Sequence, residues 1–101
     1  MDVVLEAEHS HLYPGHEGWL ECDAPLPAST EGLPGRIAFA DGVMAGGTLK
    51  GSDSRWELEV DPYTTAAGTD IAAKRWQLAF RHVAGNRTRF RIERKLALRE
   101  G

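Results

Sequence analysis

Lys74-Arg75-Trp76-Gln77-Leu78-Ala79-Phe80-Arg81-His82, followed after Val83 to Asn86 by Arg87-Thr88-Arg89-Phe90-Arg91-Ile92-Glu93-Arg94-Lys95, is the stretch whose reading decides the fold. In the first half Trp76, Leu78 and Phe80 alternate with polar or small residues. In the second half Phe90 and Ile92 do the same. A period of two is the mark of a strand that buries one face, so the pair reads as an antiparallel hairpin. Cross-strand partners share a face, and a three-residue loop Ala84-Gly85-Asn86 meets that condition. It sets Phe80 opposite Phe90, Leu78 opposite Ile92, Arg81 opposite Arg89, Ala79 opposite Arg91 and Gln77 opposite Glu93. A two-residue turn in an unbroken ladder would set aromatics against arginines, so the longer loop is preferred.

Working back along the chain, Ser54 to Val60 carries Trp56, Leu58 and Val60 inward and Arg55, Glu57 and Glu59 outward. Arg36 to Ala40 and Val43 to Leu49 flank Asp41-Gly42, a strong signal for a two-residue turn. That turn would set Ala40 opposite Val43, Phe39 opposite Met44 and Ile37 opposite Gly46, with Phe39 and Met44 on the core side. Leu49 then needs a β-bulge at Gly46-Gly47 to return inward. Ala24 to Gly35 holds three of the five prolines and reads as a loop. Val3 to Leu12 alternates with Val3, Leu5, Ala7, His9 and His11 on one side, Tyr13 to Gly18 reads as a turn, and Trp19 to Asp23 as a short returning strand. Between the meander and the last hairpin, Asp61 to Ala72 is a Gly- and Thr-rich loop in which Thr69 or Asp70 could cap one helical turn through Ala73. Glu93 to Glu100 is the other stretch where a short helix is conceivable.

These elements describe one all-β domain over residues 1–101: a small antiparallel meander of five to seven strands closing into an SH3-like barrel or roll. An OB-like barrel is the alternative. A chain of 101 residues with 42% apolar content supports a single core. The lone Cys22 can form no internal bridge. No run approaches the roughly 18 apolar residues of a membrane span, and no signal peptide is apparent, so the expected address is the cytoplasm, with no membrane contact.

The net charge of −3 hides an asymmetry. Residues 1–70 hold thirteen acids against three bases, a balance of −10, whereas residues 71–101 hold nine bases against two acids, a balance of +7. Either the two parts neutralise one another across strands, or a basic patch is exposed. The hairpin register just given places Arg81, Arg89, Arg91, Arg75 and Lys95 on one outer face, where facing like charges invite either neighbouring glutamates or an anionic ligand. The loop adds Tyr63, Thr64, Thr65, Thr69 and Asp70, a dense set of hydrogen-bonding groups beside Arg75. The four arginines and these five loop residues are the candidate binding set.

The expected function is a small binding module, acting by protein–protein contact or as an assembly subunit, with a protein partner or self-association. Two alternatives stand beside it: anion or nucleic-acid binding through the basic face of the 74–95 hairpin, and a small metal-binding protein or enzyme using the His-rich start, where His9, His11 and His16 lie near Glu17, Glu21 and Cys22. Nucleic acid is disfavoured by a pI of about 5.8 and by the lack of an aromatic platform beside the arginines. No nucleophile sits in a recognisable elbow and no glycine-rich phosphate loop occurs, so catalysis and a cofactor are not expected.

Overall fold

The computed structural model describes residues 3–7, 18–22, 26–52 and 55–98. Nine strands follow in order: β1 (Val3–Ala7), β2 (Trp19–Cys22), β3 (Ser29–Phe39), β4 (Met44–Ser52), β5 (Arg55–Val60), β6 (Tyr63–Thr64), β7 (Asp70–Ile71), β8 (Lys74–Ala84) and β9 (Arg87–Ala97). Seven of them close a barrel in the order β1-β2-β9-β8-β5-β4-β3, and β6 with β7 forms a separate ribbon. No helix occurs among the described residues, so none there is long and apolar enough to cross a membrane.

This is the small all-β barrel that the alternating segments require. Six of its seven seams are antiparallel. The seventh, which closes it, pairs β1 with β3 in parallel, from Val3 opposite Gly35 to Ala7 opposite Phe39. Closure removes the sheet edges that an open sheet of this size would expose. The inward positions read from alternation are buried: Val3, Leu5 and Ala7 on β1, Trp56, Leu58 and Val60 on β5, Trp76 and Leu78 on β8, Phe90 and Ile92 on β9.

Both hairpin turns differ from expectation, and each difference is one residue long. At the first, Phe39 N donates to Val43 O (2.9 Å) and Gly42 N to Phe39 O (3.0 Å), with Gly42 at φ 92°. The loop is therefore the three residues Ala40-Asp41-Gly42, with a glycine at its left-handed last position. Ala38 now faces Met44, and Ile37 faces Ala45. Met44 is consequently 48% exposed, not part of the core, and Ala45 and Leu49 are buried on an unbroken alternation. No bulge occurs at Gly46-Gly47. Gly47 is small for another reason: a Cβ there would meet Ile37 Cδ1 at 2.7 Å and Glu59 O at 2.9 Å.

The second turn is the shorter one. Ala84 faces Arg87 across Gly85-Asn86, with Gly85 at φ 61°. Two register shifts then break the ladder. Between Ala79 and Arg81 the extra residue is Phe80; between Arg94 and Ile92 it is Glu93. Leu78 opposite Ile92 and Ala79 opposite Arg91 stand as expected, but Arg81 faces Phe90, His82 faces Arg89 and Gln77 faces Arg94. The facing pair Arg81 and Arg89 does not form. A β-bulge reverses the side on which the following residues project, so Arg81 turns to the core side, where its guanidinium lies 4.9 Å from the Trp56 ring centroid.

Three smaller corrections follow. Ser29 to Gly35 is the first half of β3, not loop. Its Pro34 is tolerated because the β1 seam begins only at Gly35, leaving that flank without a ladder to supply. Asp70–Ile71 is a strand in place of a helical turn, and β9 continues to Ala97 in place of a helical or frayed tail.

The Glu93 bulge also lays Lys95 on the Trp76 side, with its Nζ 4.6 Å from the ring centroid. Burial lowers the Lys95 pKa from its ordinary value of 10.5. The unfolded chain therefore holds this proton more tightly, so stability is reduced below the lowered pKa and rises as pH climbs through it towards 10.5. Tyr63 acts in the opposite sense only at higher pH. Its pKa is raised from 10.0 by burial and secondarily by Asp41, so its contribution is lost above that value. Urea midpoints of the wild type should rise as the pH climbs towards 10.5, and Lys95→Met should remove that rise. A wild-type profile without the rise would refute this assignment.

Candidate functional site

The nine residues singled out from sequence occupy three separate places. Tyr63, Thr64, Thr65, Thr69 and Asp70 sit together in the β6-β7 ribbon at the end of the barrel marked by Phe39 and Trp76. Tyr63 stacks on Phe39 (centroids 4.9 Å, planes at 27°) and faces Ile71. Thr64 Oγ1 donates to Asp70 Oδ1 (2.9 Å), Thr69 N to Thr65 Oγ1 (3.0 Å) and Thr65 N to Thr69 O (2.8 Å). Thr65 is buried. The Thr65 hydroxyl thus holds the ribbon's own backbone, and the Thr64 hydroxyl ties the ribbon's two strands through Asp70.

Arg81 lies at the opposite end, inside. Its Nη2 donates to Leu26 O at 3.4 Å, and its Nε is buried without a hydrogen-bond partner. Arg75, Arg89 and Arg91 are on the outer face. Arg75 Nε is 3.8 Å from Glu57 Oε2 and faces Glu59 in register. Arg89 lies over the Trp19 ring at 4.6 Å and faces Glu21. Arg87 pairs with that same Glu21, and Lys50 with Glu59 at 3.0 Å. Acidic and basic segments thus do meet across strands, through half-exposed pairs worth at most about 1 kcal/mol each. Trp19, an aromatic on the outer face beside the arginines, escaped the sequence reading.

A concavity elsewhere on the barrel involves none of these nine residues. A groove of about 1040 Å3 runs over the outer side of β4, β5 and β8, with the start of β3 as its wall. Its floor is a row across three strands: Lys50 faces Glu57, and Glu57 faces Gln77. Ser52 and Arg55 make the next pair. The wall is Ser29, Thr30 and Glu31, set off from the rest of β3 by a register shift between Thr30 and Leu33. Glu93, the extra residue of β9, borders the other side.

Some of these side chains have internal partners. Lys50 holds Glu59, Glu57 approaches Arg75, and Thr30 Oγ1 accepts from Gly32 N at 3.3 Å. Ser29, Glu31, Ser52, Arg55, Gln77 and Glu93 have no side-chain hydrogen bond or ion pair among the described residues. The groove therefore presents hydroxyl, amide, carboxylate and guanidinium groups to whatever enters it. The signal existed in the sequence as charged and polar residues alternating outward on β4, β5 and β8. It could be assembled only once the strand order was known.

His9, His11, His16 and Glu17 lie outside the described residues. Cys22 is buried opposite Thr88, and no group of three metal-ligating side chains occurs among the described residues. Comparison with family models, curated proteins and solved structures finds no match.

Proposed function

We propose that this domain is a protein-interaction module that binds through the groove on β4, β5 and β8. The observation that carries the reading is the set of polar side chains that line it with no partner among the described residues: Ser29, Ser52, Gln77 and Arg55 between the acids Glu31 and Glu93. Polar groups placed in a concavity by rigid strands favour recognition, because binding does not have to order them first. Among the described residues Ser29 and Ser52 are bonded to no base, which favours binding over chemistry. The volume is at the upper end of small-molecule sites and the groove is open, as suits a polypeptide segment.

The test is selection of short displayed random peptides on the intact chain, followed by binding to Ala79→Trp. Ala79 lines the groove and faces outward opposite Arg91, so a large side chain there fills the groove while leaving the core untouched. Selected peptides should bind the variant about tenfold more weakly or worse. Binders indifferent to the filling would refute the groove as the contact site.

A further inference from the structure

We infer that the guest of this groove is a peptide segment with an Asp or Glu side chain, whose carboxylate is held over Ala79 between Arg55 and Arg91. This deepens the proposed function and rests on it. The strand registers set one row of outward positions across the barrel: Ser29 faces Ser52, Ser52 faces Arg55, Ala79 faces Arg91, and Arg91 faces Trp19. The β5–β8 register ends at Trp56 opposite Leu78. Continued by one residue it places Arg55 beside Ala79, and both line the groove. No carboxylate belongs to this row. Its one methyl side chain, Ala79, leaves a gap between two exposed arginines whose strands lie two spacings apart, roughly 10 Å. Two guanidinium forks reaching in from opposite sides can share one carboxylate seated on that methyl.

The surrounding charges are largely engaged with one another. Lys50 holds Glu59 and Arg75 approaches Glu57; on the far side of Arg91, Arg87 holds Glu21 and Arg89 lies over Trp19. Arg55, Arg91 and Arg94 have no ion pair among the described residues, and the acids left beside the groove there are Glu31 and Glu93. Both stand outside the row, Glu31 two residues beyond Ser29 and Glu93 in the β9 bulge. Three bases against two acids leave an excess of one positive charge. That suits a single carboxylate and disfavours a run of phosphates or a polyacidic tail.

The peptides selected above provide the probe. Those that lose affinity on Ala79→Trp should share an Asp or Glu at one position. Replacing that acid with Asn or Gln should weaken binding about tenfold, as should Arg55→Gln with Arg91→Gln in the domain, and both changes together should cost little more than either alone. The change in the peptide leaves the domain untouched, and the thermal midpoint of the double variant should match the wild type, because both arginines are exposed and hold no ion pair among the described residues. Arg94→Gln removes a charge of the same kind from the neighbouring row, opposite Gln77, and should weaken binding less than about twofold. Groove-dependent peptides without a shared acid, or a loss on Arg94→Gln equal to that of the double variant, would overturn the carboxylate site while leaving the groove reading intact. Binders indifferent to Ala79→Trp would overturn both. A synthetic peptide with phosphoserine in place of the shared acid should gain less than about tenfold; a larger gain would make a phosphate the guest and overturn the inference.

Discussion

Trp56→Ala should destabilise the domain by about 3–5 kcal/mol, the range for emptying a buried aromatic site. Trp56 is 4% exposed at the start of β5, tilted against Phe90 with centroids 5.5 Å apart. Its loss opens a cavity inside the barrel, and β5 is held there by ladders to β4 and β8, so relaxation is limited. A second effect adds to the first. Arg81 is turned inward by the Phe80 bulge and rests on this ring, with Leu26 O as its hydrogen-bond partner and its Nε already unpartnered. Without the indole, that guanidinium is left in a half-buried site with less to offset its desolvation. For a domain whose whole stability is of the order of 5–15 kcal/mol, the variant should show a urea midpoint reduced by a third or more. Trp56→Phe keeps a ring under Arg81 and should retain most of the stability. A loss below about 1.5 kcal/mol for the alanine variant would show that Trp56 is not the support of this end of the barrel.

The bulges that place Arg81 and Glu93 also explain what the sequence could and could not reveal. Alternation states which residues within a strand share a face, and it was reliable for Trp56-Leu58-Val60, for Trp76-Leu78 and for Phe90-Ile92. It does not state turn length. Gly42 with positive φ suits the last position of a three-residue loop as well as a two-residue turn, and choosing the shorter one exposed Leu49 and required a bulge at Gly46-Gly47 that does not exist. At Gly85-Asn86 the error ran the other way. Parity excluded the shorter turn only because the ladder was assumed unbroken, and Phe80 breaks it. Closure through the parallel β1–β3 seam joins segments some thirty residues apart, which no local pattern specifies. The groove was hidden for the same reason. Lys50, Glu57 and Gln77 each read alone as a solvated residue, and Ser29 to Glu31 sat in a proline-rich stretch with the composition of a loop.

Gly51→Ala should be the most damaging single-methyl change near the groove, at about 1–3 kcal/mol. In a strand interior alanine ordinarily improves on glycine by roughly 0.5–1 kcal/mol, so a loss requires a specific clash. One is present: a Cβ on Gly51 would lie 2.4 Å from Trp56 Cδ2 and 2.6 Å from Arg55 O. The indole contact can be relieved by a smaller side chain. The carbonyl contact cannot, because Gly51 faces Trp56 and Ser52 faces Arg55 in one continuous ladder, and moving the oxygen moves β5 against β4. Gly51→Ala should therefore be less harmful in a Trp56→Phe background by about 1 kcal/mol, with the backbone part of the loss persisting in both. Denaturant titrations of the four proteins in that cycle measure the coupling, and a neutral or stabilising Gly51→Ala would show that the strands do not approach this closely. The same shift would displace Lys50 and Ser52, the neighbours of Gly51 that form the groove floor. Peptides that depend on the groove should then lose affinity on Gly51→Ala even under conditions where the variant remains folded.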